Sequence, residues 1–174
     1  MSSPAADRAA ILVVFRHGEK GREVLVMRRK EHDADPWSGQ ISFPGGHAHP
    51  ADGSLLVTAL REASEEVNLS RDSLAAEPTF VGERSPGNRL DLRVSVYVVN
   101  ARDGIDLHLH PGPEASEIHW LPIDGLRPVT RRVTLPRRGF DLEVEGYDSG
   151  PLFIWGLTYR VLSDLLTKGK VGDG

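Results

Sequence analysis

The stretch Phe43 to Leu69, FPGGHAHPADGSLLVTALREASEEVNL, decides how the chain is read. It opens on Pro44-Gly45-Gly46, which reads as a turn, and crosses a polar loop holding Pro50 and Gly53. From about Ser54 the apolar residues Leu56, Ala59, Leu60, Ala63 and Val67 recur at helical spacing, so a helix with one buried stripe is expected. Beside that stripe stand Glu62, Glu65 and Glu66, at i, i+3 and i+4, which places their carboxylates on one face. Like charges at i,i+4 cost roughly 0.2–0.5 kcal/mol per pair on an exposed helix, and Arg61 with Glu65 offsets part of this. An ordinary solvated acidic face accounts for the pattern. So does a site for a hard divalent cation, which takes oxygen ligands from a rigid element and its remaining ligands from substrate phosphates.

Within this stretch Arg61-Glu62-Ala63-Ser64-Glu65-Glu66 resembles the core of the Nudix box, the signature of hydrolases that open a nucleoside diphosphate linked to another moiety. The chain departs from the family pattern in several places. Asn68 stands where the family usually has Gly, and Asn also tolerates the left-handed conformation of a helix C-cap. Gly53 replaces the family's Glu eight residues before the Arg, and the loop from Gly46 to Arg61 is one residue longer than the general box. The longer loop, the segment Gly39 to Gly46 and the later Ile154-Trp155-Gly156-Leu157-Thr158 are similar to the coenzyme A pyrophosphatase-like subgroup. Against that subgroup's pattern, Asp52 is present, His49 takes the place of another expected Asp, and Asp35 takes the place of an Arg.

Composition bounds the alternatives. At 174 residues the chain is long enough for one domain with a substantial core. A net charge of −4 gives no basic excess for a nucleic-acid backbone. Without cysteine, disulfides, thiolate metal sites and a Cys nucleophile are excluded. The apolar run Ile11 to Phe15 is too short for a signal peptide or a membrane span, so the cytoplasm is the expected location.

Taken in order, residues 1–8 read as a flexible arm, and Ala9 to Arg16 as a strand buried on both faces. The turn His17 to Arg22 leads into a second strand, Glu23 to Arg29. Arg28 and Arg29 either cap a sheet edge or offer a bidentate contact to substrate phosphate. Lys30 to Ser38 reads as a loop, and Lys30 to Trp37 is a candidate lid. Thr79 to Arg84 and Leu90 to Val99 are strands, the second with Leu92, Val94, Val96 and Val98 on one face. Glu83 stands near the loop between them, where it either is solvated or faces the metal site. His108 and His110 in Asp103 to Pro113 fit alternation on a surface strand better than a metal pair. Glu114 to Pro122 resembles the Nudix strand in which a Glu precedes a Trp, making Glu114 and Glu117 candidates for a further metal ligand or base. Val129 to Val144 reads as a hairpin around Pro136 to Gly139. Leu152 to Thr167 reads as a closing helix packed through Leu152, Trp155, Tyr159, Leu162 and Leu166, with a frayed tail from 168 to 174.

The resemblance implies the Nudix fold, an α/β/α sandwich with a mixed β-sheet between helices, in one domain spanning 1–174 with its box at about 46–69. It implies Glu62, Glu65 and Glu66 as ligands of Mg²⁺ or Mn²⁺, with Glu62, Arg61 and Glu66 in catalysis. Arg28, Arg29, Gly45 and Gly46 are expected to face substrate. The implied substrate is coenzyme A or an acyl derivative, cut to 3′,5′-ADP and 4′-phosphopantetheine. ADP-ribose, a dinucleoside polyphosphate or a nucleoside triphosphate is the alternative, and a nucleotide-binding regulator the alternative of another class. The partner is a small nucleotide, with neither nucleic acid nor membrane, and a homodimer is left open.

Overall fold

A computed structural model describes residues 7–31, 39–135 and 139–169. Its elements in chain order are β1 (Asp7–Gly18), β2 (Gly21–Arg29), β3 (Ile41–Ser42), β4 (Gly45–His47), α1 (Leu55–Val67), β5 (Thr79–Arg84), β6 (Leu92–Asn100), β7 (Ala115–Pro122), β8 (Pro128–Thr134), β9 (Asp141–Ser149), β10 (Leu152–Trp155) and α2 (Gly156–Thr167). The expected lid, including Asp35, falls largely on 32–38, outside the described residues. The same holds for most of the expected arm and tail and for Pro136 to Arg138.

β1 and β2 form the expected hairpin, tighter than its sequence suggested: pairing runs to Gly18 opposite Gly21, leaving Glu19-Lys20 as the turn. Gly21 takes φ 101, which a residue without Cβ reaches freely. β6 lies parallel to β1 from Asp7 opposite Leu92 to Phe15 opposite Asn100. β5 pairs antiparallel with β6, and β7 with β2, completing a mixed sheet. Beyond their hairpin β1 and β2 diverge. β3 pairs with β2 at Met27 and Arg28, and β4 pairs with β1 from Ala9 to Ile11, so residues 41–47 fill the gap. The expected turn at Pro44-Gly45-Gly46 is therefore a bend at Pro44 followed by a strand.

Alternation along β1 and β2 divides the core. Ala10, Leu12, Val14, Leu25 and Met27 pack with Ala59, Ala63 and Val67 of α1. Val13, Phe15, Val24 and Val26 pack with Val161, Leu162 and Leu165 of α2 and with Tyr147 and Ile154. Helix, sheet and helix make the α/β/α sandwich, with β8, β9 and β10 as a small antiparallel sheet on the α2 side. The hairpin read from Val129 to Val144 is β8 and β9. The closing helix starts four residues later than expected. Leu152 to Trp155 pair with β9, and Gly156, at φ 68, turns the chain into α2. The segment around His108 and His110 is irregular rather than a strand. Among the described residues no helix is long and apolar enough to cross a membrane.

Candidate active site

α1 begins at Ser54, whose Oγ accepts from the Val57 N–H, and ends at Asn68, which takes the left-handed conformation and donates to the Ala63 and Ser64 carbonyls. The stripe it buries is wider than its apolar residues suggest: Ala59, Ala63 and Val67 are buried as expected, and two carboxylates are buried beside them. Glu62 and Glu66 are 9% and 2% exposed, whereas Leu56 is only half-buried. Only Glu65 is solvated, with 58% of its side chain exposed. β4 makes space for Glu62 and a donor for Glu66. A Cβ on Gly46 would lie 2.5 Å from Glu62 Oε1, and one on Gly45 would strike the Ala10 carbonyl of β1. The Gly45 N–H donates to Glu66 Oε2 at 2.8 Å. Burial pushes the Glu66 carboxyl up to about 8, partly offset by that N–H and by Arg29, and reinforced by Glu62 and Glu114. Glu62 is also raised by burial, against the pull of Arg61.

Arg61 uses its whole fork. Nη1 donates to Glu62 Oε1 (3.0 Å) and Glu65 Oε2 (3.2 Å), and Nη2 donates to the His47 carbonyl (3.0 Å). Nε and Nη2 grip the two oxygens of Asp52 at 2.8 and 3.1 Å. Asp52 also accepts from the His49 N–H and Thr58 Oγ1, and the Arg61 guanidinium holds its carboxyl far below the usual range. Asp52 is the functional residue that sequence reasoning missed as a partner. The signal was there: a carboxylate in the lengthened loop, nine residues before the Arg. The neighbouring Gly53 takes φ 75, a conformation in which Gly is at ease and a Glu would be strained.

The remaining candidates separate. The charge of Glu114 raises both Glu62 and Glu66 and that of Arg29 lowers Glu66, so both stand on the side of this cluster. Glu117 does not join it. Arg28 and Glu117 pair across β2 and β7 at 3.1 Å, with His119 2.7 Å from Glu117, on the sheet face shared with Val26. Glu83 pairs with Arg8 at the surface, and His108 with Asp106. Among the described residues, no three His, Asp or Glu side chains stand grouped tightly enough to hold an ion as they sit. Arg61 accounts for part of this by engaging an oxygen each of Glu62 and Glu65. The donor chemistry nonetheless fits a hard cation. All donors are carboxylate oxygens, and two of the anions are buried where only added positive charge makes them comfortable.

A mixed sheet between helices, with an acidic helix facing a Gly-Gly strand, defines the class, and comparison with known proteins agrees. Residues 6–140 match the Nudix domain. The chain is 30% identical over 154 residues to an uncharacterized Nudix hydrolase, NudL, of Photorhabdus laumondii, covering 87% of this chain and 80% of that protein. A MutT/nudix family protein of Enterococcus faecalis superimposes with a TM-score of 0.62 at 17% identity, covering 96% of this chain and 64% of that one. The Nudix domain of Shewanella oneidensis NrtR, crystallised with ADP-ribose, gives a TM-score of 0.52 at 22% identity, over 69% and 75% of the two chains. The chain belongs to the Nudix family. It is a pyrophosphohydrolase of that family.

Proposed function

We propose that the enzyme hydrolyses the diphosphate bridge of coenzyme A or an acyl-coenzyme A, releasing 3′,5′-ADP and 4′-phosphopantetheine. The observation that carries the catalytic part is the burial of Glu62 and Glu66 under a glycine strand, beside Glu65 and Arg61. Glu62, Glu65 and Glu66 would hold Mg²⁺ or Mn²⁺. Bound there, the cation neutralises phosphate oxygens and lowers the pKa of water. Arg61, itself anchored by Asp52 and the His47 carbonyl, keeps Glu62 and Glu65 oriented. The Gly45 N–H fixes one oxygen of Glu66. In the reaction a water oxygen bonds to one phosphorus as the bridging P–O bond breaks. The water's proton passes to a carboxylate of the cluster, Glu62 or Glu114. Arg29 contributes positive charge for the substrate's phosphates.

The coenzyme A assignment is supported by contact between the subgroup-like segments. Thr158 Oγ1, in the closing segment, donates to the Ile41 carbonyl just before Phe43-Pro44-Gly45-Gly46, at 3.1 Å. The test is a Mg²⁺- and Mn²⁺-dependent hydrolysis panel of coenzyme A, ADP-ribose, NADH, diadenosine polyphosphates and nucleoside triphosphates, with products identified by mass. Turnover highest for coenzyme A supports the assignment. Preference for another diphosphate removes the substrate and keeps the chemistry. Binding of nucleotide without any metal-dependent product would make the protein a nucleotide-binding regulator.

A further inference from the structure

Asn68 does more than a helix end requires. Its left-handed conformation and its backbone N–H close α1, and glycine would take that conformation at lower cost. The side-chain amide must be explained separately. Nδ2 donates to the carbonyl of His108 at 2.9 Å, on a segment forty residues away in the chain. That segment is a strap laid across the last turn of α1. The His108 N–H is held by Asp106 Oδ1 at 2.9 Å, with His108 itself at φ 47. His110 donates its N–H to the Val67 carbonyl (3.2 Å) and Gly112 donates to the Glu66 carbonyl (2.8 Å). Leu107 and Leu109 pack against the α1-side core. The strap lies so close that a Cβ on Gly112 would collide with the Glu65 carbonyl. It ends at Glu114, whose carbonyl accepts from the Lys30 N–H at 2.9 Å. The strap therefore joins the last turn of the helix that carries Glu62, Glu65 and Glu66 to Glu114, the residue just before β7.

We infer that Asn68 is a positioning residue for Glu114. By gripping the His108 carbonyl it sets the path of the strap, whose far end carries Glu114, a carboxylate close enough for its charge to act on Glu62 and Glu66. The inference rests on the diphosphate-hydrolase reading for its catalytic consequence and on hydrogen bonds alone for its structural one. Outer partners that orient acidic side chains act in this way, without touching substrate.

Asn68→Gly keeps the cap and removes the amide. Asn68→Asp keeps the shape but puts a carboxylate where a donor faced a carbonyl. In Asn68→Gly we expect near-parental melting, with the amides of His110 and Gly112 exchanging at least about tenfold faster in the substrate-free protein. On whichever diphosphate the parent turns over, kcat should fall roughly tenfold with KM little changed, the scale of losing an outer-shell partner. Asn68→Asp should lose at least as much. In a Glu114→Gln background the Asn68→Gly change should cost nothing further, because the route through Glu114 is already cut. Parental exchange and parental kcat in Asn68→Gly would overturn the inference. So would an equal loss of kcat with and without the Glu114 carboxylate. If the parent hydrolyses no diphosphate, the functional reading falls, and the exchange rates still decide whether Asn68 holds the strap.

Discussion

The two helices are nearly equal in length, 13 and 12 residues, and pack on opposite faces of one sheet, yet they bury different things. α2 buries Val161, Leu162, Leu165 and one hydroxyl, Thr158, which is satisfied by the Ile41 carbonyl. α1 buries Ala59, Ala63, Val67 and a hydroxyl of its own, Thr58, together with Glu62 and Glu66. Its apolar contribution is small, and its carboxylates are held where burial opposes their charge. The α2 face therefore contributes stability, and the α1 face gives some up to keep anions poised. A buried charge without full compensation is costly to the folded state and is retained where chemistry needs it.

Two substitutions test this division. Leu162→Ala, at a position with no exposure, should destabilise the protein by about 2–5 kcal/mol while hydrolysis per folded molecule stays parental. Denaturant melts alongside single-turnover rates would show it. A specific loss of rate in the folded fraction would mean that the two faces are coupled. Glu66→Gln should do the reverse, lowering kcat by at least about two orders of magnitude, the scale of losing a catalytic group, without lowering the melting temperature. Near-normal turnover with native-like melting would remove Glu66 from the site.

The contrast between the faces was only half visible in the sequence. Period two in Leu92 to Val98 and the dense run Ala9 to Arg16 placed β6 and β1, because those patterns are local. Arg61-Glu62-x-x-Glu65-Glu66 pointed to the proposed chemistry for the same reason. The buried face of α1 was legible in part: Ala59, Ala63 and Val67 mark it, but the burial of Glu62 and Glu66 beside them was not. The carboxylates are admitted by features across the fold, the missing Cβ of Gly46 beside Glu62 and the Gly45 N–H that reaches Glu66 Oε2. Arg28 and Arg29 look equivalent in the chain. A bulge between them and the pleat of β2 send one to Glu117 and leave the other where its charge acts on Glu66. Leu107-His108-Leu109-His110 mimics strand alternation, although the His108 carbonyl and the His110 N–H go to the end of α1, which no local pattern records.

The smallest expected effect is a shift of stability with pH, and its sign separates the two faces. Glu66 is raised from an ordinary 4.5 to about 8, first by burial. The folded protein thus binds more protons than the unfolded chain between those values. That stability is fully present below about 4.5 and is lost as pH rises through about 8. Glu62 is shifted in the same direction and adds to the trend. Asp52 is lowered by Arg61, so its contribution disappears only in acid and is constant here. Tyr159, raised to about 12, does not titrate in the window. The metal-free protein should therefore melt several degrees lower on the alkaline side of 8 than near neutrality, and Glu66→Gln should flatten that slope. Mn²⁺ should restore more stability on the alkaline side, where it does not compete with a proton for Glu66. Melting curves with and without chelator check this. A flat profile in the parent would mean that Glu66 is already ionised, and that α1 carries its buried charge without the penalty that sets it apart from α2.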